Sequence, residues 1–370
     1  VRLLQNHGHK VVLYSRHNRE IDDFSPLKKS ALFFVPSWSW RSYWDIQSLI
    51  GSFKPEIAHF QNIFPLISPS ACYACSAAGV PIVQTLRNYR LYCPCGLFFR
   101  HETICEECLN HSPWHGIRYG CYRNSRIQTA SVAFMLSAHR VLRTWSGKID
   151  AYIALTEFSR HKFIAGGLPG SKIHVRPNFV EHDPGPGGES REFVLFVGRL
   201  SRGKGLDLLL EAWRSLPHVP LKIVGDGPLY AWARDSIREK GLKRVDLVGH
   251  IDPGSLMQFY RKALLLVMPS IWYETFGRTI IEAYAAGTPV VASRLGAMSE
   301  LVEEVGTGLL FNPGDAEDLR SRIARALDHP AERGRWGSEA RRAYEEKYSA
   351  ERSYHLLTEI YRKTIADARK

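Results

Sequence analysis

Nowhere in the 370 residues does an apolar run approach the roughly 18 residues that a membrane-spanning helix needs. The densest stretches are Ala263–Met268 and the broken run Ala130–Leu142, so no span is expected and the chain reads as soluble. No secretory leader is visible ahead of the seven cysteines, and an odd number cannot pair off, so a disulfide framework is not expected. Zinc-finger, RNA-recognition and helix-turn-helix signatures are missing, which places nucleic acid last among the partners that a formal charge of +12 could attract. A starting methionine is absent too. The chain opens at Val1, Gln5–Lys10 reads as the end of a helix and Val11–Tyr14 as the strand after it. In a doubly wound fold that strand comes second, so a first strand, its glycine-rich turn and most of a helix are expected upstream.

What is present suits two domains. A hydrophobic content of 45% over this length can fill two separate cores. The first half alternates short apolar strands (Val11–Tyr14, Ile57–Phe60, Pro81–Leu86, Ala151–Leu155, Lys172–Arg176) with helical or loop segments, which is α/β patterning. Glu181–Ser190, rich in proline, glycine and charge, reads as the linker. Beyond it, strands at Phe193–Val197, Leu221–Val224, Val245–Val248, Leu264–Met268, Thr288–Ala292 and Gly308–Phe311 follow at the spacing a parallel sheet requires. The expected organisation is a first domain over 1–180, a linker over 181–191, a second domain over 192–350 and an amphipathic closing helix over 351–370 that crosses back to the first.

Ligands of open parallel sheets bind beyond the carboxyl ends of the strands, and the candidate residues fall there. Glu274 and Glu282 stand eight residues apart. The run after Gly277 reads as a helix and Gly287-Thr-Pro289 as a turn into a buried strand. Glu274 is then a loop residue before a helix start, with Glu282 about two turns away inside it. A helix start accepts an anion such as phosphate, and two carboxylates beside it suit the hydroxyls of an attached sugar. The loop Gly198-Arg-Leu-Ser-Arg-Gly-Lys-Gly205 nearly spells a Walker A phosphate loop, yet position 205 is glycine where that motif needs a Ser or Thr hydroxyl for magnesium. A P-loop NTPase is therefore the alternative. In the preferred reading Arg199 and Lys204 are fixed cations facing a diphosphate, with Gly198 and Gly203 allowing close backbone approach; a solvated loop is the bland option. A charge pair at ~4 Å with an effective dielectric near ~20 interacts by about 4 kcal/mol, against ~0.3–2 kcal/mol from a helix end, so the cations would dominate. Gly225-Asp-Gly-Pro228 is either plain chain reversal or a nucleotide contact through Gly225 and Gly227. His250 and Ile251 could hold a base edge through backbone groups, although a lone histidine at a strand end is commonly structural.

Phe196-Val-Gly-Arg-Leu200 with Lys204-Gly205, Gly225-Asp-Gly-Pro228, Pro269-Ser270, Glu274-x-Phe-Gly277, Ile281-Glu-Ala283, Gly287-Thr-Pro-Val-Val-Ala292 and Gly306-x-Gly-Leu309 together resemble the retaining nucleotide-sugar glycosyltransferases of the large family-four group. The similarity covers nearly the whole chain and is densest from Phe193 to Pro313. It implies the GT-B fold, two Rossmann-like doubly wound α/β domains facing each other across a cleft. It also implies transfer of a sugar from a nucleoside-diphosphate donor to a hydroxyl acceptor with retention, no metal being required for catalysis. By the same resemblance Arg199 and Lys204 hold the donor diphosphate, Glu282 accepts from the ribose hydroxyls and Glu274 from those of the transferred sugar. The N–H groups of Phe276 and Gly277 lie near sugar or phosphate. The expected acceptor is a growing cell-surface glycan on a lipid carrier, which places the protein in the cytoplasm with peripheral contact at the inner membrane face. An epimerase, a phosphorylase or a non-catalytic nucleotide-sugar-binding module are the other readings of the same two-domain shape.

The chain departs from that family pattern in two places. Many relatives carry a histidine after the strand equivalent to Pro81–Leu86, whereas this chain reads Gln84-Thr-Leu-Arg-Asn-Tyr-Arg90, so Arg87 or Asn88 is expected on the acceptor side. The glycine-rich loop of the first domain is absent with the expected missing start, and such a form would have weakened activity. Between Arg87 and Lys148 nine Lys/Arg face three Asp/Glu, with aromatic residues interleaved, which is either a solvated basic face or a contact with an anionic membrane surface. The same region holds a cysteine-rich insertion over 93–121. Cys105-Glu-Glu-Cys108 has zinc-ligand spacing, and Cys93 and Cys121 would complete a tetrahedral set, leaving Cys95 spare; reduced thiols without metal are the alternative. Such a zinc would be structural. Cys72 and Cys75 are expected as packing residues in a helix. Metal analysis of the purified protein should return about one zinc per chain on this reading; none would end it.

Overall fold

Ile82, Val83, Tyr152 and Ile153 have no exposure to solvent, because the short strands that carry them are covered on both faces. The computed structural model describes residues 1–21, 33–188, 190–303 and 306–369. It divides into two compact units: Val1–Arg100 with Cys105–Arg176 and Tyr354–Lys370, and His101–Ile104 with Pro177–Ser353. Glu189 in the expected linker and Lys370 at the end of the closing helix lie outside the described residues.

In the first unit Ala58–Phe60 (β1), Ile82–Thr85 (β2), Ala151–Ala154 (β5) and Ile173–Val175 (β6) form a parallel sheet in the order β1-β2-β5-β6. Phe99–Arg100 (β3) and Thr103–Ile104 (β4) pair as a small hairpin inside the cysteine-rich insertion. Leu357 and Ile360 of the closing helix, Ala350–Ala368, join Val83, Ala151 and Ile153 in one buried cluster, so the last helix completes the first unit's core. Serine side chains start two of the helices: Ser39 accepts from the Ser42 N–H and Ser125 from the Gln128 N–H, each closing an otherwise open donor. Cys72 and Cys75 are buried in the Ser70–Ala77 helix as expected. The strand expected at Val11–Tyr14 does not form, and residues 9–17 carry no regular structure. A strand exists through its ladder partners, and among the described residues none pairs with the free edge of β1.

The second unit is built on longer apolar runs. Phe193–Val197 (β7), Leu221–Val224 (β8), Val245–Gly249 (β9), Ala263–Met268 (β10), Val290–Ser293 (β11) and Gly308–Phe311 (β12) make a six-stranded parallel sheet ordered β12-β11-β10-β7-β8-β9. Val194, Ile223, Leu209 and Phe311 are fully buried in its core, with Trp213 1% exposed. The strand order reverses between β7 and β10. The loops leaving those two strands therefore emerge side by side, at the point where open α/β sheets take ligands. β11 begins at Val290 instead of the expected Thr288, because the Thr288 N–H bonds back to the Ala283 carbonyl at 2.9 Å and Pro289 has no N–H for the ladder; the Thr288 hydroxyl donates to the Tyr260 carbonyl at 2.6 Å and accepts from Arg191 at 2.6 Å. Arg191 also donates to the carbonyls of Ala263, Ala286 and Gly287, tying the entry of β7 to that of β11.

Two glycines should respond to the same substitution with opposite signs. A β-carbon on Gly308 would lie 1.9 Å from the Val290 carbonyl oxygen across the ladder, whereas one on Gly334, inside the Pro330–Ala343 helix, would meet nothing. Urea denaturation should show Gly308→Ala less stable by about 2 kcal/mol or more and Gly334→Ala more stable by ~0.5–1 kcal/mol.

Candidate functional site

The loop after β7 is held on two sides by backbone contacts that tolerate no side chain. Gly198 and Leu200 donate to the Val224 and Asp226 carbonyls at 3.0 and 2.9 Å, and Leu229 donates back to Leu200 at 3.0 Å. A β-carbon on Gly225 would sit 1.9 Å from the Gly198 oxygen, and one on Gly227 2.5 Å from the Leu200 oxygen. These two glycines, which left chain reversal and nucleotide contact open, thus serve the docking of one loop on the next. On the other side Gly205, at φ 67°, faces the Pro269 carbonyl so closely that a β-carbon would lie 1.9 Å from its oxygen. A Ser or Thr cannot occupy that position in this backbone, so the magnesium-binding hydroxyl of a Walker A loop has no place here.

That approach brings Lys204 to Glu274. The Lys204 ammonium lies 2.6 Å from Glu274 Oε1, with side chains only 19% and 14% exposed. The same oxygen accepts from the Ser270 hydroxyl at 2.9 Å and the Trp272 indole N–H at 2.7 Å. Three donors converge on Oε1, leaving Oε2 for a ligand. Arg199 is exposed and, among the described residues, has no ion-pair partner, so the structure joins Lys204 but not Arg199 to Glu274, while Glu282 is bonded elsewhere. Ser270 and Trp272 were not singled out from the sequence as side chains with a role. Ser270 had a signal in the Pro269-Ser270 pair of the family resemblance, and Trp272 only its place in the loop after β10.

Glu274 precedes the Arg278–Ala285 helix, whose N-cap Gly277 takes φ 100°, and Glu282 lies inside that helix. Glu282 is buried, with its Oε2 accepting from the Tyr260 hydroxyl at 2.9 Å and its Oε1 2.8 Å from the Arg278 guanidinium. Burial pushes its proton affinity above the ordinary carboxylate range, and Arg278 and Tyr260 pull back against that rise. Phe276 is 2% exposed and packs edge-on against Tyr348, so any part it takes is through its backbone. His250 is exposed at the end of β9 and Ile251 is half-buried beside it.

In the first unit a cavity of about 50 Å³ opens at the strand ends, lined among others by Gln61, Asn62, Thr85, Arg87, Asn88 and Arg90. Both acceptor-side candidates are there, each held differently. Arg87 Nε donates to Gln61 Oε1 at 2.6 Å, whereas Asn88 Oδ1 accepts from the Arg90 N–H at 3.0 Å and so braces its own turn. With Gln61 oriented by Arg87, its amide N–H points at His59 Nε2 at 3.0 Å, which assigns the proton to Nδ1 and a bond from there to the Tyr361 hydroxyl. His59 is pushed down to about 3, by burial first and then by Arg176 and Arg87. Sequence reasoning had passed over this histidine.

The cysteines of the insertion are all free. Cys93 and Cys95 lie sulfur to sulfur at 3.3 Å, with Cys95 pulled down to about 6, chiefly by the Cys93 thiol, and Cys93 raised. Cys108 is pushed up to about 11, by burial first and then by Cys121, Cys105 and Cys95, and Cys121 is raised by burial and then Cys95. Cys95, which the sequence reading had left spare, thus acts on Cys108 and Cys121, whereas Cys93 enters neither shift. Among the described residues no group of three or more His, Cys, Asp or Glu side chains is arranged to hold a metal ion.

Two α/β units, each built on a parallel sheet, fit the GT-B architecture. The structure of Anabaena Alr3699/HepE in complex with UDP-glucose superposes on it with a TM-score of 0.63 at 20% identity, covering 98% of this chain and 87% of that one. Residues 1–184 match the family described as Glycosyltransferase Family 4, and residues 181–343 the family described as Glycosyl transferases group 1. The chain belongs to the GT-B glycosyltransferases. Sulfoquinovosyl transferase SQD2 of Arabidopsis thaliana is 34% identical over 315 residues, 82% of this chain and 56% of that protein. Glycogen synthase of Mycobacterium tuberculosis is 36% identical over 143 residues, 37% of this chain and 34% of that protein. The matches thus span from about a third to a little over half of such curated relatives.

A histidine whose folded-state proton affinity is depressed contributes stability above its ordinary value of 6.5, lost as pH falls toward about 3. Between about pH 7.5 and about pH 4.5 the wild type should therefore lose ~2–3 kcal/mol that His59→Gln does not, read from urea midpoints. Equal losses in the two proteins would remove His59 from the acid response.

Proposed function

We propose that this chain transfers a sugar from a nucleoside-diphosphate sugar to a hydroxyl acceptor with retention of anomeric configuration, in the assembly of a cell-surface polysaccharide or glycolipid. The observation that carries the reading is the contact of Lys204 with Glu274 where the strand order reverses, a cation and a carboxylate sharing one buried spot at the strand ends. A diphosphate with a sugar attached offers charge to the first and hydroxyls to the second. The UDP-glucose complex of Alr3699/HepE supports such a donor.

In this mechanism Lys204 and Arg199 neutralise the departing diphosphate, with the N–H groups of Phe276 and Gly277 nearby. Glu274 Oε2 accepts from a hydroxyl of the transferred sugar. Glu282 accepts from the ribose hydroxyls, which would offset the burial that raises its proton affinity. The bond between the anomeric carbon and the phosphate oxygen breaks, and the acceptor oxygen bonds the same face of that carbon. The acceptor's proton passes to the leaving phosphate. The two side chains supply the positive charge, and no step is routed through a metal ion.

The acceptor proposed is a lipid-linked glycan, reached from the cytoplasmic face of a membrane. A stripe on the Arg126–Val141 helix supports an anionic surface as partner: Ile127, Phe134 and Val141 recur at heptad spacing and are 75%, 37% and 81% exposed. Exposed Arg126, Arg140 and Arg143 flank them. Among the described residues no helix is long and apolar enough to cross a membrane.

A thermal-shift panel of UDP- and GDP-sugars should identify a donor that raises the melting temperature. With that donor, Lys204→Ala is expected to lower turnover by ~10²-fold or more, and Glu282→Ala to raise the donor KM with a smaller change in kcat. Donor consumption without an acceptor would favour an epimerase or phosphorylase. Donor binding with no turnover under any acceptor would leave a binding module.

A further inference from the structure

We infer that Trp272 is a positioning residue for donor recognition, coupling the phosphate loop after β7 to the sugar-binding carboxylate after β10. The inference rests on the donor reading above and deepens it.

The indole does two separate things. Its N–H donates to Glu274 Oε1 at 2.7 Å. Its six-membered ring lies on Gly203: a β-carbon there would come within 2.4–3.0 Å of Cε3, Cδ2 and Cζ3, so only glycine lets backbone and ring meet. The contact is fixed by the neighbouring Ile271 N–H, which donates to the Gly203 carbonyl at 3.0 Å. Lys204 follows Gly203 in the chain, and its ammonium stands 5.5 Å from the centre of the same ring. One side chain thus supports the backbone that presents the cation and orients the carboxylate that the cation now holds.

This arrangement answers a conflict in the site. Lys204 touches Glu274 at 2.6 Å, and a diphosphate would compete for the same ammonium. A carboxylate with 14% side-chain exposure that lost its one cation with nothing in exchange would turn toward water and leave the sugar. Trp272 and Ser270 are neutral donors on that same oxygen, and a phosphate has no claim on them while they remain bonded to it. They keep Oε1 anchored, and Oε2 aimed, when the ammonium is shared with the diphosphate. The indole N–H therefore acts on sugar recognition and its ring on phosphate recognition, two effects that substitutions can separate.

The test is calorimetric titration of wild type, Trp272→Phe, Trp272→Leu and Lys204→Ala with UDP, UDP-glucose, GDP and GDP-mannose, with thermal midpoints recorded for each protein. Trp272→Phe keeps a ring over Gly203 and removes the N–H. It should weaken the bound sugar nucleotide about 10-fold while changing affinity for the bare diphosphate less than about 3-fold. Trp272→Leu should weaken both. A merely structural role would move the two affinities together, so an unchanged ratio between sugar nucleotide and bare nucleotide in Trp272→Phe overturns the inference. Lys204→Ala separates that outcome from failure of the underlying reading. If the wild type binds none of the four, or Lys204→Ala binds the bare diphosphate as tightly as the wild type, the donor assignment itself falls and Trp272 with it. If Lys204→Ala weakens binding and Trp272→Phe leaves the ratio intact, only the role of Trp272 falls.

Discussion

The placement of Lys204 against Glu274 depends on how closely two pieces of backbone approach each other. Gly205 faces the Pro269 carbonyl at a distance that excludes any β-carbon. The approach is possible because β7 and β10 are neighbours in the sheet though far apart in sequence, so that their exit loops share one location. Any side chain at 205 would push the loops apart, and Lys204 would be drawn away from Glu274 with the loop that carries it. The paired glycines at 225 and 227 do the same for the loop after β8. Three strand ends are thus locked together by absent side chains, and the charged groups are placed by that lock more than by their own attraction.

Within that frame two carboxylates of similar sequence context acquire different characters. Glu274 sits in a loop with one oxygen taken by three donors and the other uncommitted. Glu282 sits two turns into a helix, buried with a tyrosine and an arginine, and its raised proton affinity marks a group that holds too little solvation for its charge. Such a group gains by accepting further hydrogen bonds. A ligand rich in hydroxyls is the natural supplier, which is the physical content of assigning one carboxylate to each ring of a nucleotide sugar.

Much of the second unit was legible in the sequence because its strands are continuous apolar runs with glycine turns at their ends; β7, β8 and β12 fall where the pattern put them. The position of Lys204 and Glu274 beyond the ends of β7 and β10 was legible for the same reason, since both follow such runs. What did not show was anything decided by contact between distant segments. Gly205 looked like a defective phosphate loop, and only the position of Pro269 explains why no hydroxyl can stand there. Trp272 and His59 have no periodicity or motif to mark them; one matters through Gly203 and Glu274, the other through Gln61, Thr85 and Tyr361. The reading failed at Val11–Tyr14 because alternation of residue type predicts a strand, whereas a strand needs a partner to pair with.

The placement of the closing helix has a consequence for how the polypeptide matures. Leu357 and Ile360 are in the same buried cluster as Val83, Ala151 and Ile153, so the first unit to be synthesised is the last to be sealed. As the chain leaves the ribosome, the sheet of the second unit is complete by Phe311, while the first still exposes the apolar face that the final helix will cover. Until Leu357 and Ile360 emerge, that face has no cover, so a truncation ahead of them would harm the half of the protein made first.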